Sequence, residues 1–225
     1  MTGAIINAGA IILGSAAGLA LSSRLPERIT KIVFQALGLF TLFLGIDMAG
    51  KTDNFLVMAL SITLGSIIGE SLDLDKVINN LSEAVKRKIK LKSDKFSEGF
   101  ITSSLIFCTG SMAILGAIEE GLGGKPSLLL TKAVLDGFAS ICFSASLGIG
   151  AMFSALPVFV YQGGLTLAAG FSQGFFTEPV VNELSAVGGL LLVAVGMNIL
   201  GITKIKTANF LPGLVVAASL AYLFL

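Results

Sequence analysis

The sequence predicts an all-α polytopic membrane protein with about eight transmembrane helices, and three observations support this prediction. Hydrophobic residues make up 54% of the 225 residues and charged residues only 13%, whereas a typical soluble domain carries about 25% charged residues. Apolar runs of about 20 residues, enough to cross a bilayer as a helix, recur along the chain. Lysine and arginine fall mainly between alternate runs, as the positive-inside rule requires.

Eight apolar runs, separated by glycine, proline or charged residues, are the candidate spans. They cover residues 3–22, 29–49, 54–70, 99–118, 127–147, 149–170, 180–200 and 208–225. Together they take up most of the chain, so no sizeable soluble domain fits. No basic residue precedes the first run, so we expect it to remain as a span rather than to be cleaved as a signal peptide.

The basic residues provide an independent test of this topology. With eight spans and an outer N-terminus, 12 of the 15 lysine and arginine residues lie on the inner side. Of the other three, Lys51 and Lys125 lie outside and Lys132 lies within a span. This asymmetry predicts that both termini face outward, and omitting any one span would move the later charges to the wrong side.

The largest inner loop, 71–97, has an amphipathic pattern. Ile78, Leu81, Val85 and Ile89 recur at helical spacing among basic residues, which predicts an exposed helix. Two functions for this helix stay open. It either contacts anionic lipid head groups or is a solvated connector between spans.

Spans one to three resemble spans six to eight. The segment GLFTLFLGIDMAGKTDNFL, starting at Gly38, aligns with GLLLVAVGMNILGITKIKTANFL, starting at Gly189. The chain then divides into a first repeat, an inner loop, a central two-span hairpin and a second repeat, at 1–70, 71–97, 98–147 and 148–225. The predicted topology orients the two repeats oppositely, as is usual in secondary transporters. Chance similarity between two glycine-rich helices is the alternative.

Lys132 and Asp136 lie inside the fifth predicted span. They are four residues apart, so on a helix they share one face and can neutralise each other. A helix that begins near Ser127 puts Asp136 roughly 13 Å along its axis, close to the bilayer centre. Ionisable groups at that depth are energetically costly, so they are expected to have a structural or functional role. The pair either locks the bundle or binds a proton or cation, with Lys132 as an internal competitor.

Four further polar residues are candidates for the path of a small solute. The repeat pairs Asp47 with Asn198, and together they would offer oxygen atoms to a hard cation such as sodium, although interfacial water also explains Asp47. Glu119 and Glu120 follow the fourth span in the string GAIEEGLGG. Adjacent helical residues point about 100° apart, so at most one faces a given cavity. They form either an acidic vestibule or a solvated helix end.

Two predicted spans contain segments that can break a helix. They are Cys108-Thr109-Gly110-Ser111 in the fourth span and Pro157 followed by Tyr161-Gln162-Gly163-Gly164 in the sixth. Unwound backbone inside a membrane is tolerated only where protein or water covers it, and there it can bind ions or substrate. Thr109, Ser111 and Gln162 are therefore candidates for a solute path. A kink or a close helix contact explains the same residues equally well.

Two GxxxG patterns, Gly14 with Gly18 and Gly65 with Gly69, mark helix faces made of small residues. Small residues at this spacing let two helices approach closely. The faces serve either packing within one chain or a homo-oligomer.

Enzymatic functions are disfavoured. Residues 170–174 match GxSxG, but a nucleophilic serine needs a base and the chain has no histidine. The string GLGGKPS resembles the end of a phosphate-binding loop, yet its spacing is wrong and no strand precedes it. A net charge of +1 gives no reason to expect nucleic-acid binding. We expect no enzyme activity, no cofactor and no metal centre.

Four strings resemble a known family: CTGSMAILGAIEEGLGG, KAVLDGF, YQGGLTL and GGLLLVAVGMNILGITKIKTANFLPGLVVA. They are similar to the YdfK/YqgA-like family of bacterial multi-pass membrane proteins, a domain of unknown function. The resemblance covers essentially the whole chain and implies a bacterial cytoplasmic-membrane protein. It implies no substrate and no functional residues.

The sequence as a whole predicts a small secondary transporter or channel-like protein for a cation or a small cationic or zwitterionic solute. The alternative is a non-transporting membrane module, either a partner subunit or a lipid-binding regulator that uses the basic inner loop. A polar cavity inside the bundle would favour transport, and a bundle packed dry throughout would favour the alternative.

Overall fold

The computed structural model describes residues 1–22, 27–80, 95–108, 111–171, 175 and 177–225, and every element within them is helical. The helices are α1 (Thr2–Ser22), α2 (Glu27–Ala49), α3 (Phe55–Ser71), α4 (Leu74–Asn80), α5 (Phe96–Cys108), α6 (Ser111–Gly121), α7 (Ser127–Leu147), α8 (Gly150–Phe153), α9 (Ala155–Phe171), α10 (Glu178–Ile199) and α11 (Pro212–Phe224). A 3₁₀ turn, Thr207–Phe210, precedes α11. Most of the predicted amphipathic helix of the inner loop lies outside the described residues.

Five helical segments within the described residues are long and apolar enough to cross a membrane. They are Thr2–Leu21, Ser127–Leu147, Gly150–Gly170, Glu178–Ile199 and Thr207–Phe224. The number rises to seven if each of two bent pairs is one span: α3 with α4, bent by 57°, and α5 with α6, bent by 60°. The apolar part of α2, Gln35–Ala49, is shorter. The protein is therefore all-helical with five to seven candidate spans, and the number eight stays a prediction.

The surface of the helices carries large apolar side chains, as contact with lipid requires. Leu13 of α1, Phe43 of α2, Phe138 of α7 and Val215 of α11 are each 68% to 74% exposed. Exposed apolar surface on this scale would cause aggregation in water. In a bilayer the same side chains contact acyl chains, while the helices satisfy their own backbone hydrogen bonds.

Glycines bring the helices into close contact. α1 packs along α7, where Gly14 lies against the backbone of Gly137, and α3 packs against α11, where Gly65 lies against Gly213. The second glycine of each GxxxG pattern makes a similar backbone contact. A side chain at any of these positions would force the helices apart. Both small-residue faces are thus used within the chain.

α10 is the most deeply buried of the five candidate spans and packs lengthwise against α2. A Cβ atom built on Gly45 would lie 2.7 Å from the carbonyl oxygen of Gly189, and one on Gly189 would lie 2.6 Å from that of Gly45. Nearer the other end of the contact, a Cβ atom on Gly196 would lie 3.0 Å from the carbonyl oxygen of Gly38. The two helices are therefore antiparallel along this contact.

The two segments that can break a helix differ in the structure. α5 and α6, which lie on either side of residues 109–110, are bent by 60° relative to each other, as expected of an interrupted fourth span. In the sixth predicted span the alternative without a helix break holds, because α9 continues through Pro157 and residues 161–164. Pro157 lies in the first turn of α9, where a missing N–H costs no helical hydrogen bond. A turn at Ser154 separates α8 from α9 instead.

Polar contacts gather at two ends of the bundle. At one end the Met1 amino group lies 2.8 Å from Glu120 Oε1, and the α2–α3 turn contacts Glu183. At the other end Lys206 Nζ lies 2.9 Å from Glu70 Oε1. We call these the outer end and the inner end, after the topology that the basic residues predict.

Candidate functional site

A buried polar cluster joins three helices nearer the outer end of the bundle. Lys132 and Asp136 of α7 form an ion pair, with 2.5 Å between Nζ and Oδ2. Asn7 of α1 donates from Nδ2 to Asp136 Oδ2 at 3.0 Å and to Gln162 Oε1 of α9 at 3.1 Å. None of the four residues is more than 7% exposed. The structure thus brings together three predicted site residues and Asn7.

Two amide atoms of this buried cluster have no hydrogen-bond partner. They are Asn7 Oδ1 and Gln162 Nε2. A buried polar atom without a partner costs about 1–3 kcal/mol, and such atoms are normally satisfied by protein groups or ordered water. An unused acceptor and an unused donor beside a carboxylate form a suitable site for a small polar ligand.

Local sequence and packing explain how the cluster forms. The four-residue spacing on α7 places Lys132 and Asp136 on one face. On α1, Asn7 precedes Gly14 by seven residues, so both lie on the face that packs against α7. Gly14 permits the close approach that lets the Asn7 amide reach the carboxylate. A lone amide on the glycine-marked face is the sequence signal that identifies Asn7.

A cavity of about 390 Å³ leads to the ion pair. Its walls come from α2, α5, α6 and α7, and both Lys132 and Asp136 line it, together with Lys51 nearer the outer end. The other lining side chains are apolar, and among them the Phe107 ring has its centroid 5.9 Å from Lys132 Nζ. That distance is within the range of a cation–π contact. The bundle is therefore not close-packed beside its charged pair.

The cluster presents one group of each charge to a ligand. A cation that enters competes with Lys132 for the Asp136 carboxylate, and the Phe107 ring offers the displaced ammonium a second position. A zwitterion can use both groups, with its ammonium on Asp136 and its carboxylate on Lys132. Attraction at this site exceeds that in water, because apolar walls lower the local dielectric constant.

Glu119 and Glu120 lie at the outer end and make other contacts. Glu120 accepts a hydrogen bond from the Gly3 N–H at 3.2 Å and pairs with the Met1 amino group. It thereby holds the start of α1 against the end of α6. Glu119 Oε2 is buried without a partner. One of the two charges of the predicted acidic vestibule is thus neutralised by the N-terminus.

The structure does not bring Asp47 and Asn198 together. Asp47 is exposed at the outer end of α2, with its Oδ2 3.4 Å from Lys51 Nζ. Asn198 closes the turn after α10 at the inner end, where Nδ2 donates to the Ile205 carbonyl at 2.7 Å. Because α2 and α10 are antiparallel, matched positions lie toward opposite ends. These two side chains therefore do not share one cation.

For two other residues predicted to line the solute path, Thr109 and Ser111, the structure does not describe the side chain. Thr109 lies outside the described residues, and Ser111 begins α6 with a side chain that is not described. Across the part of the chain that the structure describes, no group of three or more Cys, Asp and Glu residues is placed to hold a metal ion.

Glu183 is a second buried carboxylate. It was not predictable as a candidate from the sequence, because a glutamate near the start of a predicted span is expected to reach interfacial water. Its Oε1 accepts hydrogen bonds from Thr52 Oγ1 at 2.7 Å and from the N–H groups of Asp53 and Asn54 at 2.8 and 2.9 Å. Its Oε2 is buried without a partner. Glu183 thus ties the α2–α3 turn to the outer half of α10.

A wider cavity, of about 660 Å³, opens at the inner end beside Glu70 and Lys206. The hydrogen bond to Glu70, with the nearby negative charge, holds the pKa of Lys206 above its usual value. Both side chains are more than half exposed. This cavity is an open surface feature and not a buried site.

Comparison with known proteins gives a consistent match over the whole chain. The sequence profile described as "Protein of unknown function (DUF554)" matches residues 2–222. The chain is 36% identical over 224 residues to the uncharacterized protein YqgA of Escherichia coli (strain K12), across 97% of this chain and 95% of that protein. It is 33% identical over 220 residues to the uncharacterized membrane protein YdfK of Bacillus subtilis (strain 168), across 96% and 93%. No solved structure matches the chain significantly.

Proposed function

The chain belongs to the DUF554 family of proteins of unknown function, and from this premise we propose that it is a small secondary transporter or channel-like membrane protein. In this proposal its cargo is a cation or a small cationic or zwitterionic solute, and it performs no enzymatic chemistry. It works in the bacterial cytoplasmic membrane with both termini outside, as the distribution of basic residues favours.

The observation that carries this proposal is a cavity that reaches a buried ion pair. Burying two charges inside a membrane protein is costly, and well-packed apolar residues often stabilise a core equally well. A pair that only locked the bundle would need neither a cavity nor unpartnered amides. Here the cavity is lined by both Lys132 and Asp136, and Asn7 and Gln162 each keep one unpartnered atom.

The packing of α2 on α10 supports an inverted repeat within this proposal. The sequence alignment pairs Gly38 with Gly189 and Gly45 with Gly196, whereas in space Gly45 meets Gly189 and Gly38 meets Gly196. A two-fold axis between matched helices produces this reciprocal contact. α1 and α9, which belong to the matched first and sixth spans, each contribute an amide to the buried cluster. A site between inverted repeats is typical of secondary transporters.

In the proposed cycle the cargo exchanges with the Lys132 ammonium. Without cargo, Lys132 and Asp136 neutralise each other. An arriving cation takes oxygen ligands from Asp136 and from Asn7 Oδ1, while Lys132 turns toward Phe107. A zwitterion instead needs both charges in place. The two kinds of cargo therefore make opposite demands on Lys132.

Purified protein in liposomes, assayed with sodium, proton and amine gradients, tests the proposal. We expect flux under at least one gradient and a loss of at least about tenfold in Asp136→Asn, since a contact to a charged group contributes about 1.5–3 kcal/mol. The matched control is Asp47→Asn, which removes the same charge from an exposed pair and should leave flux unchanged. Absence of flux in the wild type under every gradient would reject transport and favour the non-transporting module. Full flux in Asp136→Asn would reject this site.

The Lys132→Met variant separates the two kinds of cargo. It keeps much of the side-chain length and removes the charge. For an inorganic cation the variant removes an internal competitor, so the half-saturating concentration should fall. For a zwitterion it removes the anchor of the carboxylate, so the half-saturating concentration should rise. The concentration dependence of flux measures both outcomes.

A further inference from the structure

The cavity that reaches the buried ion pair is lined by three charged side chains, and two of them are positive. They are Lys51 near the outer end and the buried Lys132 and Asp136. Asp47, the partner of Lys51, is about half exposed and does not line the cavity. A ligand that carries only a positive charge therefore meets a net positive charge. Charge complementarity favours a ligand that also carries a carboxylate.

Both partners of the ion pair keep hydrogen-bonding capacity for a ligand. Lys132 Nζ and Asn7 Nδ2 both donate to Oδ2 of Asp136, so Oδ1 takes part in neither of these bonds. Lys132 Nζ has three N–H groups, and one of them suffices for its bond to Asp136. An ammonium group can thus donate to Asp136 Oδ1 while a carboxylate accepts from Lys132, and the pair itself stays intact.

A zwitterion leaves the buried charges balanced, whereas a cation does not. Lys132 and Asp136 together are neutral, so a zwitterion that binds to both keeps the site neutral. A cation leaves one positive charge in excess between apolar walls, where an uncompensated charge is costly. A cation–π contact with the Phe107 ring, whose centroid lies 5.9 Å from Lys132 Nζ, offsets only part of that cost.

The remaining walls of the cavity are apolar and suit an organic side chain. Phe107 and Phe143 are buried, with ring centroids 5.7 Å apart and ring planes at 75°. Met48 and Met112 also line the cavity, and methionine adapts to apolar groups of different shapes. Among the described lining residues, only Asp136 has a side-chain oxygen. An inorganic cation would therefore find few of the oxygen ligands that it needs.

The size of the cavity also fits a small organic molecule. Its volume of about 390 Å³ lies near the lower end of the usual range for ligand pockets, about 300–1,000 Å³. Such pockets are mainly apolar and contain a few polar groups that orient the ligand. Because Lys132 Nζ and Asp136 Oδ2 are only 2.5 Å apart, the two charges of the ligand must also lie close together. An α-amino acid carries its ammonium and carboxylate groups on one carbon.

We propose that the ligand of this cavity is a zwitterionic amino acid with a large apolar side chain, such as leucine, methionine or phenylalanine. This inference rests on the proposed function and narrows its cargo to one chemical class. The ammonium group donates to Asp136, the carboxylate accepts from Lys132, and the apolar side chain lies against Phe107 and Phe143. Lys51, about half exposed, attracts the carboxylate of an approaching ligand.

Binding of L-leucine to the purified protein in detergent micelles tests this assignment without depending on flux. Radiolabelled L-leucine is equilibrated with the protein, and unlabelled solutes compete with it. We expect saturable binding that L-methionine and L-phenylalanine displace. Three competitors each lack one feature of leucine: glycine lacks the apolar side chain, isoamylamine the carboxylate and isocaproate the ammonium group. Each should bind at least about tenfold more weakly than L-leucine, because each loses one group of contacts.

The Ala139→Leu variant tests whether the cavity holds the apolar side chain. Ala139 of α7 lines the cavity, so a leucine at this position occupies space that the ligand needs. We expect L-leucine to bind at least about tenfold more weakly. The matched control is Ala59→Leu, the same change at an exposed position of α3, which should bind L-leucine as the wild type does. Leu44→Phe narrows the same cavity from α2 if Ala139→Leu does not fold.

Several results would overturn the assignment. Absence of saturable binding for all three amino acids would reject this class of ligand. Competition by isoamylamine or isocaproate as strong as that by L-leucine would mean that the site binds a cation or an anion. Equal competition by glycine, or unchanged binding in a folded cavity variant, would mean that the apolar walls do not hold the ligand.

Failure of the proposed function gives a different result from failure of this assignment. Protein that binds L-leucine but shows no flux of any solute in liposomes, leucine included, has the site and is not a transporter. Protein that carries sodium, protons or amines and does not bind the three amino acids is a transporter for another cargo.

Discussion

Two lysine–aspartate pairs in this protein have the same sequence spacing and opposite surroundings. Asp47 and Lys51 of α2 lie four residues apart, as do Lys132 and Asp136 of α7. The α2 pair is about half exposed with 3.4 Å between its charged atoms, whereas the α7 pair is less than a tenth exposed with 2.5 Å. Spacing on one helix therefore determines that the partners meet. It does not determine whether water surrounds them.

Water decides what each pair contributes. An exposed pair contributes roughly 0–1 kcal/mol to stability, because water screens both charges. In a buried pair, removing one partner leaves the other uncompensated, at about 3–5 kcal/mol. The buried pair of α7 also borders a cavity and two unpartnered amide atoms. These surroundings, and not the spacing, distinguish a candidate binding site from a surface contact.

Among these variants, one that breaks the buried pair should cause the largest loss of stability and of flux. Asp136→Asn leaves the Lys132 ammonium uncompensated, so we expect the free energy of unfolding in detergent micelles to fall by about 3–5 kcal/mol. Combining it with Lys132→Met removes both charges and should recover most of that stability without recovering flux. Unfolding by denaturing detergent and flux, measured on the same preparations, check this. Recovery of flux together with stability would mean that the pair is structural only.

The Glu183→Gln variant tests whether a buried carboxylate without a lysine partner contributes to stability and flux as Asp136 does. The variant keeps the size and shape of the side chain and weakens the three hydrogen bonds that Thr52, Asp53 and Asn54 donate to its carboxylate. We therefore expect a loss of about 2–3 kcal/mol in the free energy of unfolding. Flux should fall less than in Asp136→Asn, because Glu183 holds a turn and does not line the cavity. Glu178→Gln, exposed on the same helix, is the control. A greater flux loss than in Asp136→Asn would move the site to Glu183.

Asn7→Ala removes the neutral member that links the buried pair to Gln162. We expect a loss of about 1–2 kcal/mol in the free energy of unfolding, typical of buried hydrogen bonds, and a higher half-saturating cargo concentration. Asn182→Ala, which removes an exposed amide bonded to Asp53, is the matched control. An unchanged half-saturating concentration in Asn7→Ala would exclude this amide as a ligand group.

Asp47→Asn should have the smallest effect. We expect a change of no more than about 1 kcal/mol in the free energy of unfolding, decreasing further as salt screens the pair. Unfolding measured at low and high ionic strength checks both statements. A loss as large as that of Asp136→Asn would mean that burial is not what separates the two pairs.

Helix positions were predictable where the signals are local. The fifth predicted span, 127–147, has the same bounds as α7, because Pro126 precedes the apolar run and Gly148, with φ of 78°, ends it. The bend of 60° between α5 and α6 also follows a local signal, the string Cys108-Thr-Gly-Ser within an apolar run. Of the two alternatives left open for the segment around Pro157, the helix break does not occur, because proline disrupts a helix interior but not its first turn. Where that helix begins depends on the packing around Ser154.

The sequence by itself determined that this chain is a helical membrane protein and that Lys132 meets Asp136. Hydropathy and four-residue spacing are properties of a single segment, so they can be read from the sequence without knowledge of neighbouring helices. Only the tertiary structure decided that Asn7 and Gln162 complete the cluster and that Glu183 closes a distant turn. Those contacts depend on which helices pack together, in which direction and how closely. Glycines determine how closely two helices approach each other, but no pattern within one helix specifies which helix it packs against.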